Sequence, residues 1–144
     1  EDEFSKSLLN ITGAVAMANR GPNTNGSQFF INNQNPENFK GWEQFEQYYN
    51  IYKRNPDKFN KMYGGTIDMS KVTDEVKKLY QEHGGNPNLD GYYNTAHKGH
   101  TVFAQVFEGM DVIQKISKVK TDENDKPIEP VIIKSIKFDR YQAK

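Results

Sequence analysis

The chain has 144 residues, enough for one domain with its own hydrophobic core. Its 19 basic and 19 acidic side chains cancel, so no net field favours nucleic acid or an anionic membrane as a partner. Cysteine is absent, which excludes disulfides, thiol catalysis and thiolate metal sites, and no run of about 20 apolar residues predicts a membrane-spanning helix.

Residues 1–33 have the pattern of short strands joined by a tight turn. The small and apolar residues at 13–18 predict a closely packed strand. They are followed at 21–26 by Gly-Pro-Asn-Thr-Asn-Gly, in which every residue type favours a turn. We therefore expect a second strand to begin soon after residue 26.

The second strand has an unusual alternation. A two-residue period puts Phe29 and Ile31 on one face, which we predict to be the core face. The opposite face then carries Gln28, Phe30 and Asn32. Such a mixture of amide and aromatic side chains suits neither a dry core nor an ordinary solvated surface, and it favours the wall of a binding site.

A helical region is predicted over about 34–87. Aromatic residues recur at steps of three or four within 39–52, which indicates a helix whose stripe packs as core. The dipeptide Asn-Pro at 55–56 has the chemistry of an N-cap and a first helical position, and the glycines at 64–65 end that helix. A third helix is predicted over 72–83.

The last part of the chain returns to β character. A strand is predicted at 100–106, a helix around 112–116, and a polar loop at 121–127. The β-branched run at 131–138 predicts the final strand. The sequence thus favours a mainly β fold with helices, organised as a single domain over 1–144.

Two groups of motifs resemble the cyclophilins. The first is Met-Ala-Asn-Arg-Gly-Pro-Asn-Thr-Asn-Gly-Ser-Gln-Phe-Phe-Ile at 17–31. The second comprises Leu-Asp-Gly at 89–91, His-Thr-Val-Phe at 100–103 and Val-Phe-Glu-Gly-Met-Asp-Val-Ile at 106–113. The resemblance implies a closed eight-stranded antiparallel β-barrel with two helices over its ends. It also implies peptidyl-prolyl cis/trans isomerase activity, which assists protein folding.

The resemblance also implies a binding site. Six positions match pocket-lining positions of the family: Ala18, Asn19, Gln28, Phe30, Leu89 and His100. Phe30 and Leu89 would line the slot for the proline ring, and main-chain groups of Asn19 would pair with the substrate backbone. Gln28 and His100 would rim the site. The implied partners are proline-containing peptides or unfolded proteins, and cyclosporin; no cofactor is implied.

Three departures from the family pattern are visible. The family's early strands, first helix and catalytic arginine would precede Glu1, so we expect an N-terminally incomplete domain. Asn88 stands where many cyclophilins have Trp. Residues 34–87 are an insertion relative to the family, and residues 92–99 also intervene. We expect both additions to adjoin the pocket and to influence which peptides enter.

Several interpretations remain open. The chain is an isomerase, a binding module that holds proline segments without turnover, or an inactive fragment that lacks the arginine. Arg20 is expected to be a solvated turn residue rather than a substitute for that arginine. The spacing of His83, His97 and His100 suits no standard zinc site. The aromatic insertion resembles those of cyclophilins from Gram-positive bacteria, which implies an extracellular, membrane-tethered parent protein, with a cytoplasmic one as the alternative.

Overall fold

The structure is a computed structural model that describes residues 1–140. It contains two compact units, residues 1–110 and a second unit that starts at Asp111. The strands are β1 (Ala14–Met17), β2 (Phe29–Ile31) and β3 (Val102–Gln105). The α-helices are α1 (Glu43–Tyr52), α2 (Pro56–Tyr63), α3 (Asp74–His83) and α4 (Met110–Ile116). Single 3-10 turns lie at Pro36–Asn38 and Pro87–Leu89.

The three strands form one antiparallel sheet with the order β2-β1-β3. Ala16 pairs with Phe30 on one side and with Val102 on the other. Ala14, Ala16 and Val102 are buried, and Phe30 packs against them. The small residues of the central strand leave room for these larger neighbours on the same face. The closely packed strand predicted within residues 13–18 is therefore confirmed.

Within residues 1–140, the predicted core face of β2 is not the covered one. Phe29, predicted to face the core, is 42 % exposed, and its ring contacts that of Phe103, which is 54 % exposed. Phe30 instead lies on the buried face of the sheet. The alternation along β2 is as expected, but sequence alone does not say which face of a sheet another part of the chain covers.

The helix boundaries follow the expected capping chemistry. Asn55 caps α2, since its side chain accepts a hydrogen bond from the Lys58 N–H at 3.1 Å. Gly64 ends that helix with a φ of 73°, a left-handed conformation in which glycine carries no Cβ penalty. Thr73 caps α3 through the Val76 N–H. The predictions of these two helices are confirmed.

The larger of two buried clusters, which we name the helical cluster, combines residues at the start of α1 and on α3 with loop residues. Its buried members are Leu9, Trp42, Ile67, Val76, Tyr80 and Tyr93. Phe39 and Phe45 pack against them, so this part of the aromatic stripe is core, as predicted. Tyr48, by contrast, is 43 % exposed. The helix also begins later than the stripe, at Glu43, because Gly41 has a φ of 84°.

The expected closed barrel and final strand are not seen in residues 1–140. The sheet described there has three strands, and the fold is mixed α/β rather than mainly β. No strand is assigned over 131–138, where the side chains are exposed. A β-branched run becomes a strand only when another strand pairs with it, and the local sequence does not supply that partner. Among the described residues, no helix has the length and apolar character to cross a membrane.

Candidate functional site

The turn that follows β1 is tied to two other parts of the first unit. The Ala18 N–H donates to the carbonyl of Gln28 at 2.8 Å, which extends the β1–β2 pairing by one residue. The side-chain amide of Asn19 donates to the carbonyl of Gly99, also at 2.8 Å. Its oxygen accepts from the Gly21 N–H at 3.2 Å. Asn19 thereby holds the turn against the segment that precedes β3.

Three predicted site residues meet although they lie up to 70 positions apart. The rings of Phe30 and His100 are in edge contact, with centroids 5.2 Å apart. The His100 N–H donates to the Leu89 carbonyl at 2.8 Å. Nδ1 of His100 lies 2.9 Å from the carbonyl oxygen of Met17, so this nitrogen carries the proton and donates. The imidazole is therefore fixed in orientation between β1 and the Leu89 turn.

A cleft of about 350 Å³ lies beside these residues. Asn19, Leu89 and His100 line it, together with Asn88. Ala18, Gln28 and Phe30 are not among its lining residues; Ala18 and Phe30 are half-buried, and Gln28 is exposed. The structure thus brings the six predicted residues into one neighbourhood but distributes them between the cleft and the adjoining sheet.

A buried carboxylate lies directly behind the Leu89 turn. Asp90 is 4 % exposed and accepts hydrogen bonds from the backbone N–H and the side-chain amide of Asn10, both at 2.8 Å. The hydroxyl of Tyr80 on α3 donates to its second oxygen. Since Asp90 follows Leu89 in the chain, these bonds fix the turn that carries Leu89.

Burial of this carboxylate also changes its ionisation. Desolvation raises the pKa of Asp90 to about 6, against the lowering effect of the hydrogen bonds from Tyr80 and Asn10. Burial and the adjacent Asp90 charge likewise raise the pKa of the Tyr80 hydroxyl far above its usual value, so Tyr80 stays a donor at all physiological pH values.

Several residues of this neighbourhood were missed in the sequence. Tyr63, Thr66, Asn94 and Lys98 line the cleft, yet nothing in their local pattern marks them as site residues. Gly99 could have been noticed in the sequence, because a glycine there directly precedes the strand predicted at 100–106. A Cβ there would lie 2.6 Å from the Leu89 carbonyl oxygen, so only glycine lets the two segments approach this closely.

Comparison with known proteins identifies the family. The family model described as cyclophilin type peptidyl-prolyl cis-trans isomerase/CLD matches residues 1–138. The chain belongs to the cyclophilin family. Across residues 1–140 of this cyclophilin domain, no group of three or more His, Asp or Glu side chains is placed to hold a metal ion.

Curated relatives from staphylococci are similar over nearly the whole chain. A protein of Staphylococcus saprophyticus is 36 % identical over 146 residues, which cover 96 % of this chain and 55 % of the relative. A Staphylococcus epidermidis protein is 35 % identical, covering 94 % of this chain and 54 % of the relative. A Staphylococcus aureus protein is 34 % identical with the same coverage. All three bear the name "Putative peptidyl-prolyl cis-trans isomerase". The chain spans about half the length of these relatives.

Proposed function

We propose that this chain provides the proline-recognition part of a peptidyl-prolyl cis/trans isomerase that acts on proline-containing peptides and unfolded proteins. The observation that carries the proposal is the contact of Phe30, His100 and Leu89. The Phe30 and His100 rings are in contact, the His100 backbone N–H donates to the Leu89 carbonyl, and Leu89 and His100 line the same cleft, within a chain of the cyclophilin family. These groups suit the pyrrolidine ring of proline, which is apolar and rigid.

The chemistry of the reaction fits such a site. Rotation about an amide bond has a barrier of about 18–20 kcal/mol, although the two prolyl isomers differ by only about 0.5–1 kcal/mol. A catalyst must therefore bind the twisted amide more tightly than either planar form. Phe30 and Leu89 would hold the proline ring while the preceding carbonyl turns, and no bond needs to be made or broken.

Stabilisation of the twisted amide requires a hydrogen-bond donor near the prolyl nitrogen or carbonyl. The side-chain amide of Asn19 donates to Gly99, and Nδ1–H of His100 donates to Met17. Both of these donors thus already have protein acceptors. We propose that the arginine implied by the family resemblance supplies the donor in the whole protein.

We also propose that the sheet forms part of an antiparallel barrel in the whole protein and that residues 34–87 are an insertion into it. The support is the second face of the sheet, where the rings of Phe29 and Phe103 are about half exposed. Large aromatic rings on a strand are commonly covered in a folded domain. Family membership makes further strands a suitable cover.

The function is tested by exchange NMR on a short peptide that contains Ala-Pro. We expect the peptide to bind, and cis/trans exchange to be accelerated by the whole protein and suppressed by cyclosporin. Phe30→Ala should weaken binding at least tenfold. Phe29→Ala is the matched control, because it removes the same ring from the neighbouring position on the opposite face and should change binding less than twofold.

The outcomes separate the competing interpretations. Binding without accelerated exchange in the whole protein would favour a non-catalytic proline-binding module. Equal effects of the two phenylalanine variants would contradict the proposed slot. If no proline peptide binds, while circular dichroism shows a folded chain, the proposed function is wrong.

A further inference from the structure

The cleft beside the proline slot has a second wall that the family motifs do not provide. One side consists of Asn19, Leu89 and His100, as described above. The other side comes from the end of α2 together with the segment before β3, and it includes Tyr63, Thr66, Asn94 and Lys98. The two segments that depart from the family pattern therefore meet at the site.

This second wall is held by hydrogen bonds between its two segments. The Thr95 N–H donates to the Thr66 carbonyl at 2.8 Å, and the Thr66 N–H donates to Oγ1 of Thr95 at 3.0 Å. The side-chain oxygen of Asn94 accepts from the Ala96 N–H at 2.8 Å, and Asn94 itself is 8 % exposed. The wall is thus a defined surface with a fixed backbone.

Lys98 gives this wall its charge. Among the residues that line the cleft, it is the one Lys, Arg, Asp or Glu side chain. Within residues 1–140, no carboxylate lies within 4.0 Å of its ammonium group. The ammonium lies near the C-terminal end of α2, 3.6 Å from where a Cβ of Gly64 would be. Carbonyl groups at a helix C-terminus favour a cation at this position.

The charge is close enough to the proline slot to meet the same peptide. His100, which contacts Phe30, is two residues after Lys98, so their Cα atoms are at most about 7.6 Å apart. An extended peptide advances about 3.3 Å per residue. A side chain within about three positions of the bound proline can therefore reach the ammonium group.

We propose that this second wall is a specificity site for the residues that flank the proline, and that Lys98 selects peptides carrying Asp or Glu within three positions of it. This inference rests on the proposed function, because it assumes that the proline occupies the slot formed by Phe30 and Leu89. The ligand class is thus an acidic proline-containing peptide. A carboxylate suits the cleft because its lining includes no acidic side chain.

The test uses heptapeptides with a central Ala-Pro, in which Glu or its neutral isostere Gln is placed in turn at each of three positions on either side. At low salt we expect one or two Glu positions to bind about three- to fivefold more tightly than their Gln counterparts, the range of an exposed ion pair. Salt at about 0.5 M should reduce the preference, because it screens the interaction.

Two variants locate the effect. Lys98→Gln should abolish the preference for Glu while leaving the affinity for the Gln peptides within twofold. Lys61→Gln is the matched control, since Lys61 is also exposed, lies in the last turn of α2 and is not among the cleft-lining residues. It should leave the preference unchanged, and circular dichroism should show both variants to be folded.

Each result bears on the inference separately from the proposed function. If all peptides bind but Glu and Gln peptides bind equally, the specificity site is wrong and proline recognition stands. A preference for Glu that persists in Lys98→Gln, or that Lys61→Gln also removes, equally contradicts it. If no peptide in the series binds, both the inference and the proposed function are wrong.

Discussion

The helical cluster and the three-stranded sheet differ in how completely each is buried. In the cluster, Ile67 is 1 % and Tyr80 0 % exposed. In the sheet, neighbouring residues of β3 have opposite environments: Val102 is 7 % exposed and Phe103 is 54 % exposed. The cluster is a complete small core, whereas the sheet has one buried face and one open face within the described residues.

This difference indicates which part of the domain contributes most to its stability. Each large apolar side chain that is fully buried contributes about 1.5–3 kcal/mol. Most such side chains belong to the helical cluster, and the buried face of the sheet consists largely of alanine. The helical region therefore supports the site, because it carries Tyr80, which holds the Asp90–Leu89 turn.

The largest effect is expected from a change in the helical cluster. Trp42 is 6 % exposed, contacts the rings of Phe39 and Tyr80, and donates from Nε1 to the Lys77 carbonyl at 3.3 Å. Trp42→Ala should lower the free energy of unfolding by about 3–5 kcal/mol. Urea denaturation measures this free energy. Tyr48→Ala, at an exposed position on α1, is the control and should lower the free energy of unfolding by less than about 1 kcal/mol. Equal costs would contradict the assignment of the core.

The next largest effect concerns pH. The folded pKa of Asp90 is about 6, and the unfolded value is near 4, so between these values the folded state binds more protons. The stability contributed by this group is complete below about pH 4 and is lost as the pH rises through 6. Between pH 4 and pH 7, the free energy of unfolding of the protein should fall by roughly 2–3 kcal/mol relative to that of the Asp90→Asn variant. Urea unfolding at several pH values checks the slope; a flat difference would contradict it.

A smaller effect compares the two faces of the sheet directly. Val102→Ala should cost about 2 kcal/mol, because it opens a gap against Ala14 and Ala16. Phe103→Ala, at the next position, should cost less than about 1 kcal/mol in this chain, because the ring is half exposed. The comparison requires thermal or urea unfolding of both variants. A greater cost for Phe103 would show that its face is covered.

The smallest effect is expected at the turn between β1 and β2. The Arg20 side chain is exposed, and its backbone N–H donates to Oγ1 of Thr24 at 2.8 Å. Arg20→Ala removes no contact of the cleft, so peptide affinity should change less than about twofold. Titration calorimetry with an Ala-Pro peptide measures it. A loss above tenfold would mean that Arg20 takes part in binding.

Local patterns predicted the elements whose determinants lie within a few residues. The caps at Asn55 and Gly64 follow from chemistry that acts over one helical turn. The sequence likewise predicted the two-residue alternation of side chains in β2 and the turn that precedes this strand. For the site, the family motifs indicated Phe30, Leu89 and His100, which the structure brings together.

Only the tertiary structure decided the features that depend on distant partners. It determined which face of β2 is covered. It showed that residues 131–138 form no strand among the described residues. It also brought Tyr80 and Asn10 together at Asp90. It also placed Lys98 in the cleft that Asn19, Leu89 and His100 line. Local sequence patterns can predict that side chains alternate along a strand or that a residue caps a helix. Burial of a face and pairing of a strand depend on segments that lie far away in the chain and come together only when it folds.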